Sequence, residues 1–387
     1  MLSIGICGKP NSGKSTFFSA ATLVDAAIAP YPFTTINANV GAAYVRAKCP
    51  HVEFGVQCKP KNSKCVDGVR LVPTTVVDVA GLVPGAHAGR GLGNKFLDDI
   101  RATDAVIQVV DASGRTDLEG NPCDSCDPSK EVEFLREEIG LWMAEVVGRA
   151  AAKARGRGVD ALVEALSGMK ASKAQVEEAA RVAGVGVEKV EWKAEEVKRF
   201  AFALMEKNKP MMVAANKIDV HGAEGNLEKL RGDAKGPVVI PCYADGELAL
   251  RKAGRAGVVK YVPGAVDFEI VNANAAQAEA LEKIRAVMKK FGGTGVQKAV
   301  DAAAYDLLKL IVVYPVQDAH KLSDNFGNVL PDALLLKQDA MVIDLAAVVH
   351  TDLAKKFIGA VDARTGMNIG RDHALKNGDV ISIVSGR

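Results

Sequence analysis

An α/β fold is predicted for this chain: a doubly wound parallel sheet, interrupted by a helical insertion and followed by a small mixed α+β module. Three observations carry that prediction. A short apolar run, residues 2–7, enters the glycine-rich stretch Gly8-Lys9-Pro10-Asn11-Ser12-Gly13-Lys14-Ser15 and continues into a helix-like segment at 16–24. Later apolar runs, at 105–111 and 210–215, have the continuous hydrophobicity of strands buried on both faces. From Ile311 onward the pattern changes to short strands alternating with turns.

The totals set limits on this reading. A chain of 387 residues exceeds what one ordinary core supports, so two or three domains are expected. A formal net charge of +2 gives no overall argument for nucleic acid, and neither DNA nor a membrane is an expected partner. The 48% hydrophobic content is that of a globular protein, and no apolar run is long enough to span a bilayer. The first strand begins at once, which leaves no room for an export signal, so a cytoplasmic location is expected.

The seven cysteines form no regular framework and are expected to be thiols in a reducing compartment. Cys49, His51, Cys58 and Cys65 cluster in one polar stretch, and Cys123 and Cys126 form a lone C-x-x-C. Neither has the doubled spacing of a strong zinc motif, so metal ligation stays open and zinc is not predicted.

Taken in order, the first element is the glycine-rich loop, whose spacing G-x-x-x-x-G-K-S is complete. A turn between a strand and a helix aims backbone N–H groups into one concavity at the positive helix end, which suits a polyphosphate. Lys14 would reach the β- and γ-phosphates and the Ser15 hydroxyl would hold Mg²⁺, with Asn11, Ser12, Gly13 and Thr16 completing the cradle. Residues 29–36 are too proline-rich for a helix. In phosphate-loop GTPases such a segment offers a threonine to the metal and γ-phosphate, here Thr35.

A strand over 71–78 ends in Asp78-Val79-Ala80-Gly81. This D-x-x-G puts Asp78 against the metal's water shell and lets the Gly81 N–H approach the γ-phosphate. Lys14, Thr35 and Gly81 are therefore the catalytic candidates. The glycine-rich run at 85–93 reads as a flexible switch leading into a helix from Asn94.

Residues 129–204 are rich in Ala, Glu, Lys and Arg, with apolar residues at helical spacing. Glycines at 156, 168, 184 and 186 divide the stretch into two or three helices. Its basic patch, Lys153-Ala154-Arg155-Gly156-Arg157, suits RNA phosphates as well as it suits a solvated helix end.

The buried strand at 210–215 then delivers Asn216-Lys217-Ile218-Asp219. The Asp219 carboxylate can accept from guanine N1–H and the exocyclic amine, a donor pair that adenine lacks. Asn216 would bond the other edge of the base and hold neighbouring loops, and the Lys217 stem would pack on the ring. A last strand at 238–241 precedes Cys242-Tyr243-Ala244-Asp245, where the Ala244 N–H is the candidate donor to the guanine carbonyl. Helices are expected at 246–253, 275–291 and 295–310. In the C-terminal module, strands are expected around 310–315, 325–336 and 379–384, with a helix near 341–349.

With these motifs in hand, the chain resembles the Obg-related GTPases of the YchF-type branch, and in particular its archaeal-like members that retain N-K-x-D. The resemblance rests on the loop at 8–15, Pro32-Phe33-Thr34-Thr35-Ile36, Asp78-Val79-Ala80-Gly81-Leu82-Val83-Pro84-Gly85-Ala86, Gly91-Leu92-Gly93-Asn94-Lys95-Phe96-Leu97 and Asn216–Asp219. The C-terminal His350-Thr351-Asp352-Leu353 and Asn377-Gly378-Asp379-Val380 resemble the family's TGS module, a β-grasp unit. It implies a phosphate-loop G domain at 1–128 and 205–270, an inserted helical domain at 129–204, a helical connector at 271–309 and a TGS domain at 310–387. It also implies GTP and GDP as ligands, Mg²⁺ as cofactor and a ribosome- or RNA-linked regulatory role.

Leu82 stands where Ras-like GTPases carry the water-orienting glutamine, so slow intrinsic hydrolysis is expected. Some relatives use a potassium ion held partly by the residue matching Asn11. Well-studied YchF-type proteins have lost N-K-x-D and favour ATP, whereas Asp219 is kept here, which favours GTP. Tyr243 replaces the usual serine of the fifth guanine motif. Two alternatives stay open: an ATPase of the same fold, and a nucleotide-tuned RNA or ribosome scaffold with incidental turnover.

Overall fold

A computed structural model describes residues 2–22, 39–81, 93–232 and 236–386. Thr35 and Leu82 lie outside the described residues, as does the glycine-rich run as far as residue 92. The chain divides into two compact units: Met1–Ala21 with Ala38–Gly41 and Thr75–Ala299, and Thr22–Asn37 with Ala42–Thr74 and Val300–Arg387.

Seven strands make the first sheet: β1 (Ser3–Cys7), β2 (Val40–Lys48), β3 (Lys64–Val66), β4 (Val69–Asp78), β5 (Ala105–Asp111), β6 (Met211–Asn216) and β7 (Val239–Pro241). Their order is β2-β4-β1-β5-β6-β7, with β3 paired to β4. β1 runs parallel to β4 and β5, as β6 does to β5 and β7. Because β1 has β4 on one side and β5 on the other, the chain leaves it at a topological switch point, where open α/β sheets bind ligands. All five residues of β1 and all seven of β5 are buried, which only helices on both faces can achieve.

Among the described residues, thirteen α-helices accompany the strands: α1 (Lys14–Thr22), α2 (His51–Phe54), α3 (Gly93–Ala102), α4 (Ser129–Ala154), α5 (Val159–Ala165), α6 (Lys173–Ala183), α7 (Ala194–Asn208), α8 (Ala223–Arg231), α9 (Ala244–Arg255), α10 (Ala275–Phe291), α11 (Val296–Ala302), α12 (Val342–Val349) and α13 (Thr351–Lys355). The insertion, α4 to α7, contains four helices and a 3₁₀ turn at Ser167–Met169, one helix more than the two or three expected, because each of Gly156, Gly168 and Gly184 falls at a break. At the Gly168 break, Lys170 takes a left-handed φ of 56° and Ser172 opens α6 with a capping box onto Gln175.

Leu135, Ile139, Met143 and Val147 recur at a four-residue spacing on α4 and pack with Leu162, Val176, Phe200 and Leu204. The same cluster includes Cys7, Val79, Ile100 and Val106, so the inserted helices share one apolar core with the sheet. A short hairpin, β8 (Val259–Lys260) with β9 (Glu269–Ile270), was not foreseen, nor was α8.

The second unit holds a five-stranded sheet of β10 (Leu310–Val316), β11 (Leu334–Lys337), β12 (Phe357–Asp362), β13 (Asn368–Ile369) and β14 (Val380–Ser385), in the order β11-β10-β14-β12-β13. Only β10 and β14 pair in parallel. β10 is buried on both faces. Ile311 and Val313 meet Val342 and Leu345 of α12, while Val312, Tyr314 and Val316 meet Cys49, Cys58, Val72 and Leu330. Most of the strand expected at 325–336 is irregular chain: Leu330 adopts a left-handed φ of 47°, Val329 makes a single bridge to Ser323, and β11 is the part that pairs as a strand.

The expectation of free thiols fails at Cys123 and Cys126, which form a disulfide. Their loop folds back through Cys123 N–H to Arg115 O and Cys126 N–H to Gly114 O, which sets the Cα atoms 6.0 Å apart, within bridging reach. Among the described residues, no helix is long and apolar enough to cross a membrane.

Candidate nucleotide-binding site

The loop after β1 is shaped by close approaches. A Cβ on Gly8 would lie 2.5 Å from the Val109 carbonyl oxygen and 2.7 Å from Ser12 Oγ, so only glycine lets the chain pass β5 there. Asn11 and Gly13, at φ of 61° and 88°, turn the loop into α1, whose first turn carries no acidic residue. The helix thus presents an uncompensated positive end. Ser12 Oγ is buried without a hydrogen-bond partner among the described residues. An orphan hydroxyl inside a loop of backbone donors is a group awaiting an acceptor.

The loop is held from behind. Lys9 is buried and donates to Thr116 O at 2.5 Å and Asp117 O at 2.6 Å, and pairs with Glu131 at 2.9 Å. Asn11 Nδ2 donates to Gly120 O at 3.0 Å. Lys9 is therefore a structural staple, whereas Lys14 is the cation of the cradle. Lys14 pairs with Asp78, which β4 delivers in register with Ile6 of β1. Ser15 is exposed beside it, and Gly81 lies near the loop, a Cβ built there falling 4.0 Å from Gly8 O. Lys14, Ser15, Asp78 and Gly81 thus gather at the carboxyl ends of two adjacent strands.

Asn216 and Lys217, two hundred residues downstream, meet this loop. The buried Asn216 donates through Nδ2 to Ser12 O at 3.0 Å and accepts through Oδ1 from the Ala244 N–H at 3.1 Å. A Cβ on Gly13 would sit 2.2 Å from that Nδ2, so the second loop glycine is also required by Asn216. Lys217 donates to Asn11 O at 2.6 Å and to Asp111 Oδ2 at 2.8 Å. The Ala244 N–H assigned to a guanine carbonyl is turned on Asn216 here, because that amide oxygen is the nearest acceptor inside the corner. Asn216 is accordingly a tie between loops, the second of its two expected roles.

Asp219 is exposed, yet partial burial, aided by the neighbouring charge of Asp245, pushes its carboxyl above the usual range. Burial likewise raises the Tyr243 phenol, helped by the charges of Asp219 and Asp245. These three side chains form one electrostatic group at the rim.

Several supporting residues escaped sequence reasoning. Asp111 is fully buried; burial alone would raise its carboxyl, but hydrogen bonds from Lys217, Ser113 and Thr116 hold it below the usual range. Its place at the end of β5 was the available signal. Glu247, also fully buried, accepts from Arg251 at 2.6 Å, Tyr261 at 2.6 Å and Thr294, which fixes the start of α9 under Ala244. A Cβ on Gly295 would fall 1.9 Å from Pro241 O, so the 293–295 turn is pressed against the end of β7. No local motif marks these contacts.

Comparison with known proteins agrees with this geometry. A family model described as 50S ribosome-binding GTPase matches residues 3–139. One described as Obg-like GTPase YGR210-like, G4 motif-containing domain, matches 214–318, and the TGS domain model matches 326–385. The chain is 47% identical over 394 residues to a GTP-binding protein of Methanocaldococcus jannaschii, covering 100% of this chain and 99% of that one. It is 30% identical to the ribosome-binding ATPase YchF of Haemophilus influenzae, with 97% of each covered. Among solved structures, the GTP-binding protein from Pyrococcus horikoshii is similar at 37% identity and a TM-score of 0.81, with 100% of each chain covered.

Proposed function

Because the chain belongs to the YchF-type Obg-like GTPases, we propose that it hydrolyses GTP to GDP and phosphate, slowly on its own, as a ribosome-linked switch in the cytoplasm. The observation that carries this reading is the bridge made by Asn216, which grips the phosphate loop at Ser12 and the base loop at Ala244 together. A triphosphate in the cradle and a purine against Asp219 would then occupy one continuous corner. In the proposed site Lys14 and the loop amides hold the phosphates. Asp219 is free at the rim to accept the two guanine donors, and adenine would leave it unpaired.

The oxygen donors Ser15, Thr35 and Asp78 suit a small hard cation, and Mg²⁺ is the natural choice beside a triphosphate. Ser15 and Thr35 would ligate it directly and Asp78 through its water shell. Phosphates arriving at Lys14 would release Asp78 from its present ion pair for that task. Held there, Mg²⁺ would supply positive charge to neutralise the triphosphate. Asn11 Nδ2 is engaged by Gly120, which leaves its side-chain oxygen as the group for an accessory potassium ion. Leu82 cannot hydrogen-bond the attacking water, so such an ion or a partner would have to accelerate turnover.

An ATPase reading has one point in its favour, that the Haemophilus influenzae relative is named a ribosome-binding ATPase. Competition of GTP with ATP in a binding assay, with Asp219→Asn alongside, separates the two. GTP preference lost in the variant supports guanine readout, and ATP preference in the intact chain overturns it. Turnover in potassium against sodium, with and without ribosomes, tests the accessory ion and the partner. A ribosome association that persists unchanged in Lys14→Ala would favour a scaffold over a switch.

A further inference from the structure

The second unit contains a group of side chains that nucleotide chemistry does not use. Cys49 follows β2, His51 opens α2, Cys58 follows the left-handed Gly55 that ends α2, and Cys65 is the middle residue of β3. The spacing is C-x-H-x₆-C-x₆-C. Their three sulfurs and one imidazole nitrogen all lie within 4.8 Å of one another. We propose that Cys49, His51, Cys58 and Cys65 form a closed, structural zinc site.

Geometry carries the first part of the argument. With Zn–S near 2.3 Å and Zn–N near 2.0–2.1 Å, a regular tetrahedron has N···S edges of about 3.5 Å and S···S edges of about 3.8 Å. His51 Nδ1 lies 3.4 Å from Cys58 Sγ and 3.6 Å from Cys65 Sγ, on those edges. None of the three cysteines is disulfide-bonded. Three sulfurs and one imidazole in a tetrahedral set select zinc among common metals, and the set is too tight to wrap a multi-iron cluster. Four protein ligands leave no open position, which makes the site structural.

Charge carries the second part independently. Arg70 is fully buried, with Nη2 3.3 Å from Cys49 Sγ. Its other partners are Ser63 Oγ at 3.0 Å, Leu330 O at 2.9 Å and the face of Tyr314, and its Nε has no partner. No carboxylate among the described residues forms an ion pair with it. Asp332 feels its charge, but burial pushes that carboxyl above the usual range, and a buried guanidinium so weakly answered is unfavourable. Three thiolates around Zn²⁺ carry a net charge of minus one, the charge Arg70 needs beside it. The neutral thiol cluster alone adds no negative charge beside that cation.

Backbone hydrogen bonds tie the ligand-bearing segments to their neighbours. Cys49 N–H donates to Gly68 O at 2.8 Å and Val56 N–H to His51 O at 3.1 Å, while Lys59 N–H and Lys61 N–H reach Val329 O and Pro331 O at 2.8 and 2.7 Å. Zinc would therefore pin the irregular 49–68 chain onto the face of β10 where Val312, Tyr314 and Leu330 pack.

The test uses the full chain purified with zinc supplied. Elemental analysis should find one zinc per chain. Cobalt(II) added to the chelator-stripped protein should give thiolate-to-cobalt charge transfer and the intense d–d bands of a tetrahedral site. Cys49, Cys58 and Cys65 should resist alkylation together until a chelator is added. The double variant C58S/C65S should lose the metal, C123S should keep it, and C65H should keep it with about a third less charge-transfer intensity, since one of three thiolates is gone. The proposal falls if the wild-type chain retains no zinc and its three thiols alkylate equally with and without chelator. It falls equally if C58S/C65S still holds stoichiometric zinc, or if C123S loses it.

Discussion

The phosphate loop of the first unit and the thiol–imidazole cluster of the second are assembled in opposite ways. The loop corner is built at the ends of parallel strands. β1, β4 and β6 each deliver a short contiguous motif to the same edge, and hydrogen bonds from Asn216, Lys217 and Lys9 lock them together. The cluster is built from irregular chain that returns on itself, with ligands before, in and after a single four-residue helix and in a three-residue strand. The first site is cross-linked as a polar network, with the Ser12 hydroxyl left as the buried group without a partner among the described residues. The second has donors but sets a buried cation against neutral sulfur, with Asp332 as a weak counter-charge. Regular structure makes a site self-supporting; irregular structure at a site calls for a central ligand.

Metal removal should separate the two most sharply. With zinc in thousandfold excess over its dissociation constant, the bound ion contributes about 4 kcal/mol to the stability of the segment that holds it. Chelation should accordingly raise amide exchange through residues 49–72 by about a thousandfold while leaving β1 and α1 unchanged, measured by hydrogen-exchange mass spectrometry. Equal exchange in both states would abolish the contrast. Lys14→Ala comes next. It removes the phosphate-binding cation and strands the Asp78 carboxylate, and should lower single-turnover GTP hydrolysis by about 10²–10³-fold. A loss under tenfold would mean that Lys14 does not face the phosphates.

The same contrast explains what could be read in advance. Spacing is informative when secondary structure imposes it. G-x-x-x-x-G-K-S follows a strand, D-x-x-G ends one and N-K-x-D ends another, so the sheet brings Lys14, Asp78 and Asn216 to one edge by rule. β1, β4, β5, β6 and β7 were legible as apolar runs and the long α10 as an amphipathic one, whereas the two-residue strands of the β8–β9 hairpin are too short to show a period. The gaps of six residues in the cysteine cluster follow no helical or strand period, so only the fold reveals that they close. Long-range supports were equally silent: Glu247 with Thr294, and Gly295 against Pro241, depend on contacts between segments about fifty residues apart. The 325–333 chain was misread because hydrophobic alternation cannot register the left-handed φ of Leu330.

Within the loop corner, glycine position decides the sign of a small change. Gly13 has φ of 88° and faces Asn216 Nδ2, so Gly13→Ala should destabilise by about 2–4 kcal/mol through backbone strain and the displaced amide. Gly225 lies in α8 with nothing within 4 Å of a built Cβ, so Gly225→Ala should stabilise by about 0.5–1 kcal/mol. Denaturant midpoints at constant slope would measure both. A mild effect at Gly13 would mean that the loop relaxes freely and that Asn216 is not its clamp.

The smallest expected effect tests the rim. Guanine recognition needs an ionised Asp219, whose carboxyl is pushed up by partial burial and then by Asp245. As pH falls through that raised value the carboxylate takes a proton and loses one of its two acceptor roles, so GTP affinity should decline on the acid side earlier than for an ordinary aspartate. Asp245→Asn removes the smaller of the two causes. It should move the acid limb to lower pH by less than about one unit, with affinity at neutral pH unchanged. Fluorescent GTP titrations across the acid range would show it, with ATP as the control whose binding lacks this limb. A limb that stays in place would mean that Asp245 does not feel Asp219 and that burial alone sets the carboxylate that reads the base.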